Sequence, residues 1–115
     1  MFDFEKLEVY QKAHDLALMI LGILYREKNI DPYMRDQLKR ASLGVVLNIA
    51  EGTGRVSGAD KKHFYTIARG SVFECVSIVK VLCDLEILSK NQYNHLYYGY
   101  EEISKMLLAL FRSIK

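Results

Sequence analysis

The sequence has very little proline, with one residue in 115, and only two cysteines. A single proline argues against a turn-rich all-β fold and leaves room for long helices. The longest apolar run, Leu16 to Tyr25, has ten residues, whereas a helix needs about 20 to cross a bilayer. The first residues also lack the basic and then apolar stretch of a secretory signal. We therefore expect a cytoplasmic protein that makes no contact with a membrane.

The residue patterns of common catalytic and metal sites are missing as well. No glutamate is followed by a histidine three positions later, as a di-metal site in a helical bundle requires. Cys75 and Cys83 lie eight positions apart in one predicted helix, a separation of about 12 Å that no disulfide bridges. The glycine-rich segment around Gly54 has neither the preceding strand nor the following Lys-Ser/Thr pair of a phosphate-binding loop. We therefore predict no catalytic residue, no metal and no cofactor.

Apolar side chains recur at intervals of three and four along most of the chain, which is the spacing of amphipathic helices. The pattern predicts four helices, at residues 4–27, 32–51, 58–87 and 90–114. Because the segments between them are short, consecutive helices must run antiparallel. The sequence therefore predicts an all-α protein, with residues 1–115 in a single domain that folds as an antiparallel up-down-up-down four-helix bundle.

Several residues mark the ends of the predicted helices. Asp3 is predicted to cap the first helix, and Gly52 is predicted to end the second in the left-handed conformation. In the third helix, the apolar residues that are predicted to face the core extend as far as Leu85. The remaining start signals are Asp31 before Pro32, Ser57 with Asp60, and Ser89 with Gln92.

Half of the residues are hydrophobic, which is more than a domain of this size is expected to bury. Apolar residues lie off the inward stripes of the first and third helices, which indicates that these helices are covered on a second side. We predict self-association through them, the alternative being irregular packing within a monomer. The candidate interface residues are Leu18, Met19, Leu21, Ile23, Val72, Phe73, Val76 and Val79.

The net charge of +2 conceals an uneven distribution. Positions 35 to 69 hold seven basic and three acidic side chains, a net charge of +4, whereas the remaining nine basic and eleven acidic side chains give −2. Repeated around a ring of subunits, such a surface would attract a polyanion, although in one subunit alone it would be an ordinary solvated face. The candidate nucleic-acid-binding residues are Arg35, Lys39, Arg40, Arg55, Lys61, Lys62 and Arg69.

Two polar residues are expected where the second and third helices meet. Asn48 lies on the apolar stripe of the second helix, and Glu74 lies near the inward edge of the third. A buried amide or carboxylate is costly unless it is paired. One interpretation is a structural clasp, in which Glu74 pairs with Asn48 or accepts from Ser42 or Arg40. The other is a functional site that faces a ligand or the axis of a ring.

Three ordered motifs carry a resemblance to a known family. They are Phe4-x-x-Leu7-x-Val9-Tyr10-Gln11-x-Ala13, then Gln37-Leu38-x-Arg40-Ala41-Ser42 with Asn48-Ile49-Ala50-Glu51-Gly52 and Gly54-Arg55, and finally Phe64-x-x-x-Ala68-x-Gly70-Ser71-x-x-Glu74. Over nearly the whole chain they resemble the S23-type four-helix bundle family, the 23S rRNA intervening-sequence proteins. Tyr10 stands where that family more often has tryptophan, and Gly44 where it usually has serine. The polar motif residues are Gln37, Asn48, Glu51, Ser71 and Glu74.

The resemblance implies a small bacterial protein with no established enzymatic activity. Some members of the family are encoded within insertions in 23S rRNA genes, and related members form five-fold rings. A similar protein, the accessory variability protein of diversity-generating retroelements, is a basic pentamer that associates with a reverse transcriptase and with nucleic acid. The implied partners are therefore further copies of the chain, RNA or DNA, and a protein such as a reverse transcriptase or a ribosomal component.

We therefore predict a non-enzymatic, ring-forming bundle, with a homopentamer favoured, that associates with RNA or a nucleoprotein partner through its basic residues. The alternative is a protein-interaction scaffold with no nucleic-acid role. A third hypothesis is an undetected enzyme, which a ligand or metal at Asn48, Glu51 or Glu74 would indicate.

Overall fold

Four long helices joined by short turns make up the computed structural model, which describes residues 1–115. Helix α1 spans Glu8–Arg26, α2 spans Pro32–Gly54, α3 spans Gly58–Asp84 and α4 spans Lys90–Ser113. Each helix packs against the next and α4 returns to α1, which gives a closed bundle of 44 × 23 × 20 Å. The predicted all-α, antiparallel four-helix bundle is confirmed.

Three helices begin at the residues that the sequence marks. The Asp31 carboxylate accepts a hydrogen bond from the Met34 N–H at 3.0 Å, at the start of α2. Ser57 caps α3 in the same way. At the start of α4, the Ser89 hydroxyl accepts from the Gln92 N–H at 3.1 Å, and the Gln92 side chain accepts from the Ser89 N–H at 2.9 Å. These contacts span three residues, so the local sequence is enough to specify them.

The start of the first helix differs from the prediction. Residues Asp3–Lys6 form a separate 3₁₀ turn, and Leu7 is extended, at φ −77° and ψ 127°, before α1 begins. Asp3 lies inside this turn, so its predicted role as the cap of α1 is wrong. The Phe4 ring packs on the Tyr10 ring with centroids 4.8 Å apart, and the turn lies against α2. These contacts fold the amino terminus back over the bundle instead of extending α1.

Gly52 does not end α2, which continues for two more residues, and no glycine in the chain has a positive φ. The predicted left-handed end is therefore wrong. Gly52 is buried where α3 passes close by, and a Cβ there would lie 2.9 Å from Cε1 of Tyr65 and 3.0 Å from Cβ of Phe64. At Gly44, a Cβ would lie 2.9 Å from Oγ of Ser71. The absence of a Cβ at these two positions thus allows α2 and α3 to approach closely.

The core is one cluster of 24 buried hydrophobic residues drawn from all four helices. Ile20, Val45 and Leu82 are fully buried at its centre. Leu85 is 56% exposed because it follows the last turn of α3, so its predicted inward position is wrong. Ile103, which the sequence pattern did not single out, is fully buried in α4.

None of the four helices contains an apolar stretch long enough to cross a membrane.

Both cysteines lie on α3 as free thiols, with Cys75 in the core and Cys83 half-buried.

Candidate functional site

The residues predicted to form an oligomer interface lie at very different depths. Leu18 on α1 and Phe73 on α3 are 57% and 52% exposed, which is unusual for large apolar side chains. Met19, Leu21 and Val76 are half-buried. These five residues remain available as parts of an outer surface.

The other three predicted interface residues belong to the core of the monomer. Ile23, Val72 and Val79 are 2%, 1% and 0% exposed, so their predicted position on an outer face is wrong. Ile23 lies three positions after Ile20, and Val79 lies four positions after Cys75, both of which are buried. Helical rotation therefore places them on the inward faces of α1 and α3. The apolar surplus of the chain is smaller than the sequence indicates.

The exposed apolar residues of α1 and α3 lie on opposite sides of the molecule. Each of these helices contacts α2 and α4, and they do not contact one another. They therefore occupy diagonal corners of the bundle. Leu18 and Tyr25 form what we term the α1 patch, and Ile67, Phe73 and Val81 form the α3 patch; all five are exposed.

Arg35, the first of the predicted nucleic-acid-binding residues, links the start of α2 to the end of α1. Its guanidinium is half-buried and donates to the carbonyl of Leu24 and, at 2.7 Å, to the carbonyl of Glu27. These carbonyls lie at the carboxyl end of α1, where no further turn of helix is present to bind them. Arg35 thus stabilises the end of α1 from the start of α2.

Lys61 and Arg55 make comparable contacts at the turn between α2 and α3. The Lys61 ammonium donates to the carbonyl of Thr53 at 2.9 Å, within the last turn of α2. The Arg55 guanidinium lies 2.6 Å from the carboxylate of Glu51 and 4.7 Å from the centre of the Phe64 ring. Both cations are engaged within the chain, although Arg55 is exposed.

Lys62 and Arg69 face α4. The Lys62 ammonium lies 5.3 Å from the centre of the Phe111 ring. The Nε of Arg69 donates to Oγ of Ser104 at 3.1 Å, and its guanidinium lies 5.0 Å from the centre of the Phe73 ring. The contacts with Phe111 and Ser104 stabilise the packing of α3 against α4, whereas the contact with Phe73 lies within α3.

Lys39 and Arg40 are the two predicted cations that the fold leaves exposed on α2 without a carboxylate partner. Arg55 follows Arg40 by 15 positions, which corresponds to about 22 Å along the helix axis. The seven predicted residues are therefore spread along the bundle instead of forming one continuous patch.

The predicted clasp between Asn48 and Glu74 is not formed. The Asn48 amide donates to the carbonyl of Gly44 at 2.8 Å, one turn back in its own helix. The Ser42 hydroxyl likewise donates to the carbonyl of Lys39 at 3.1 Å. Glu74 is exposed and makes no ion pair within the chain. The clasp prediction is wrong because α2 satisfies its own polar side chains, whereas Glu74 points outward from α3.

A groove between α2 and α3 brings two polar motif residues together. Gln37 on α2 and Glu74 on α3 both line it, and its volume is about 400 Å³. We term this cleft the α2/α3 groove; its lining residues are Tyr33, Met34, Gln37, Phe73, Glu74, Ser77 and Ile78. Sequence motifs single out Gln37 and Glu74 separately. Their meeting depends on the register of two helices, which the motifs do not specify.

The buried thiol and phenol of the core are unsuited to nucleophilic chemistry. Burial raises the pKa of the Cys75 thiol from its ordinary value of 9.0 to about 12, and the neighbouring Tyr100 hydroxyl opposes this shift. Burial also raises the pKa of Tyr100, and the adjacent Cys75 raises it further. Both groups are therefore neutral near pH 7, whereas a reactive cysteine is a thiolate.

The three histidines do not come together in the fold. His14, His63 and His95 are exposed on three different helices. No group of three or more His, Cys, Asp or Glu side chains is arranged to hold a metal ion.

These observations define a class of protein: a small four-helix bundle with two apolar patches, exposed cations and a groove between α2 and α3 that contains one unpaired carboxylate. A family model described as "23S rRNA-intervening sequence protein" matches residues 5–109. The chain therefore belongs to the 23S rRNA-intervening sequence protein family, as the sequence motifs predicted.

A solved structure supports the fold. A protein of unknown function from the S23 ribosomal protein family of Bacteroides thetaiotaomicron, determined at 1.70 Å resolution, superposes with a TM-score of 0.83. The two chains are 24% identical over 90% of this chain and 97% of the other. No curated protein matches the chain.

Proposed function

We propose that this protein acts without catalysis, as a ring-forming bundle that associates with RNA or with a nucleoprotein partner through exposed cations. A homopentamer is the favoured ring, because the family resemblance implies five subunits. The observation that carries the RNA proposal is the exposure of Lys39 and Arg40 without a carboxylate partner. The description of the family refers to 23S rRNA, which also supports an association with RNA.

Ring formation is supported by the diagonal arrangement of the α1 and α3 patches. A two-fold dimer needs a single patch that meets its own copy, whereas two patches on opposite sides suit head-to-tail contacts. Such contacts close into a ring when the rotation per subunit permits it. The patches contain large apolar side chains, which a neighbouring subunit would remove from water.

RNA binding through the predicted basic residues depends on assembly. Most of these seven residues contact groups within the chain, so one subunit offers few of them to phosphate. A ring repeats Lys39 and Arg40 in every subunit, and simultaneous contacts strengthen binding without any new type of interaction. Because each neutralised phosphate releases counterions, this binding should weaken steeply as the salt concentration rises.

The proposal is tested on protein purified without nuclease, by light scattering combined with the ratio of absorbance at 260 and 280 nm. The expected mass is about 66 kDa, five times the 13.3 kDa of one chain, with an absorbance ratio that falls as salt rises. A Lys39→Glu/Arg40→Glu variant should keep the mass and lose most of the absorbance at 260 nm. Lys105→Glu/Arg112→Glu, which reverses two exposed cations of α4, is the matched control.

Two results would contradict the proposal. One is a monomeric mass at micromolar concentration. The other is an equal loss of RNA from both double variants, which would indicate that total charge matters and that the α2 cations have no special role.

A second candidate function, a protein-interaction scaffold with no nucleic-acid role, is favoured by the α2/α3 groove. Its exposed Glu74 would repel phosphate and attract a basic protein. Protein partners that remain bound after nuclease treatment and in high salt, together with an absence of RNA from the purified protein, would favour the scaffold.

A further inference from the structure

We infer that the α2/α3 groove binds an arginine side chain presented by a protein partner. The inference rests on the proposed role of the chain as a binding protein and names the chemistry of one partner. It concerns a groove between two helices, and the α2 cations Lys39 and Arg40 do not line it.

The groove contains an unpaired carboxylate. Glu74 is exposed on α3, and no lysine, arginine or histidine of the chain lies within ion-pair distance of it. This carboxylate lines a groove of about 400 Å³ whose walls come from two helices.

The same groove contains a pair of aromatic rings. Tyr33 on α2 and Phe73 on α3 are both exposed and both line it. A guanidinium is planar and weakly hydrated, so it stacks on aromatic faces more readily than an ammonium does. The Arg69 guanidinium already lies 5.0 Å from the centre of the Phe73 ring, which shows that this ring accepts such a contact within the chain.

The groove also offers several hydrogen-bond acceptors. A guanidinium has five N–H donors and no acceptor. The Glu74 carboxylate can accept two of them side by side, and the Gln37 amide oxygen and the Ser77 hydroxyl oxygen lie in the same groove. Neither Glu74 nor Gln37 is engaged by another side chain in the fold. The lining therefore offers acceptors and aromatic faces, which is the complement of an arginine.

The charge of the groove argues for a protein partner over RNA at this site. A phosphate would meet the Glu74 carboxylate without a neutralising cation in the lining. An arginine on a basic protein carries the opposite charge, so the same carboxylate would attract it.

The experiment uses nuclear magnetic resonance on the full-length protein in its native assembly, with N-acetyl-arginine methylamide as the probe. The neutral isostere N-acetyl-citrulline methylamide is the reference ligand. We expect the arginine probe to shift the Gln37 side-chain amide and the backbone signals of Phe73 and Ser77, and the citrulline probe to bind at least threefold more weakly. Glu74→Gln should weaken the arginine probe at least threefold. Glu101→Gln, an exposed glutamate on α4, should leave it unchanged.

Equal shifts from the two probes, or arginine binding that Glu74→Gln does not weaken, would overturn the inference. Measuring the RNA content of Glu74→Gln separates a failure of this inference from a failure of the proposed function. Unchanged RNA content with weakened arginine binding supports the inference. If Glu74→Gln increases the RNA content and the arginine probe does not bind, the groove belongs to the RNA surface and the inference is wrong. Arginine binding by a protein that carries no RNA would contradict the proposed function alone.

Discussion

The hydroxyl of Tyr100 is a buried polar group without a hydrogen-bond partner. The side chain is fully buried, and its oxygen makes no hydrogen bond within the chain. Its polar neighbour is the Cys75 thiol, which is a weak hydrogen-bonding partner. An unsatisfied buried hydroxyl costs free energy that a phenyl ring of the same shape would not.

We therefore predict that Tyr100→Phe raises the free energy of unfolding by about 1 kcal/mol. Urea denaturation at a fixed protein concentration measures the change. Tyr25→Phe, which removes the hydroxyl of an exposed tyrosine, should change stability by less than about 0.5 kcal/mol. A loss of stability in Tyr100→Phe would mean that the thiol and the hydroxyl form a stronger contact than their chemistry indicates.

Arg35 shows why the roles of single charged residues were not predictable. In the sequence it is one of a group of basic residues, and nothing in its neighbourhood distinguishes it from Arg40. In the fold it binds the carbonyls of Leu24 and Glu27, which are eleven and eight positions away. Such contacts depend on the path of the chain between two helices, which residue periodicity does not specify.

At the scale of the helices, α3 ends in a motif that usually contains glycine. The N–H of Glu86 donates to the carbonyl of Cys83 at 2.9 Å, and the N–H of Ile87 donates to the carbonyl of Leu82 at 3.0 Å. This is a Schellman motif, with Glu86 in the left-handed conformation at φ 63°. A side chain with a Cβ pays about 1–2 kcal/mol in that conformation, and glycine does not.

Glu86→Gly should therefore stabilise the protein by about 0.5–1 kcal/mol, because the larger chain entropy of unfolded glycine offsets part of the gain. Glu86→Ala removes the carboxylate and keeps the Cβ, so it should give no comparable increase. Thermal denaturation of the three proteins side by side makes the comparison. An equal increase in both variants would show that the charge of Glu86, and not its backbone conformation, is unfavourable.

The starts of the helices were easier to predict than their ends. Caps such as Ser57 and Ser89 act within three residues, so the sequence displays the whole interaction. Gly52 instead lies inside α2, where Tyr65 of α3 packs so close to it that a Cβ would not fit. The sequence showed a glycine and suggested a turn, whereas the packing of α3 required the glycine.

For the molecule as a whole, helix periodicity predicted the bundle and the family motifs predicted its relatives. The candidate site was predicted less well. Leu18 and Phe73 are exposed as expected, whereas Val72 and Val79 are in the core. In a helix covered with apolar residues on most sides, the periodic pattern does not distinguish the inner face from the outer one. The α2/α3 groove was not predicted, because it depends on the register between two helices.

The diagonal position of the α1 and α3 patches leads to a test of the whole assembly. If the α1 patch of one subunit meets the α3 patch of the next, Leu18→Arg and Phe73→Arg each remove one half of every contact. Each variant alone should be monomeric, at 13.3 kDa by light scattering. A Leu18→Arg subunit keeps its α3 patch and a Phe73→Arg subunit keeps its α1 patch. An equimolar mixture should therefore form one intact contact and give a heterodimer of about 27 kDa, twice the mass of one chain.

Leu47→Arg is the control, because Leu47 is an exposed leucine on α2 that belongs to neither patch. It should keep the mass of the wild-type protein. A mixture that stays monomeric would contradict head-to-tail contact between the α1 and α3 patches, as would the wild-type mass in either single variant. The heterodimer should also retain less RNA than the ring, since two subunits present fewer copies of Lys39 and Arg40 to one strand. The same mixture therefore tests whether assembly and RNA binding are linked.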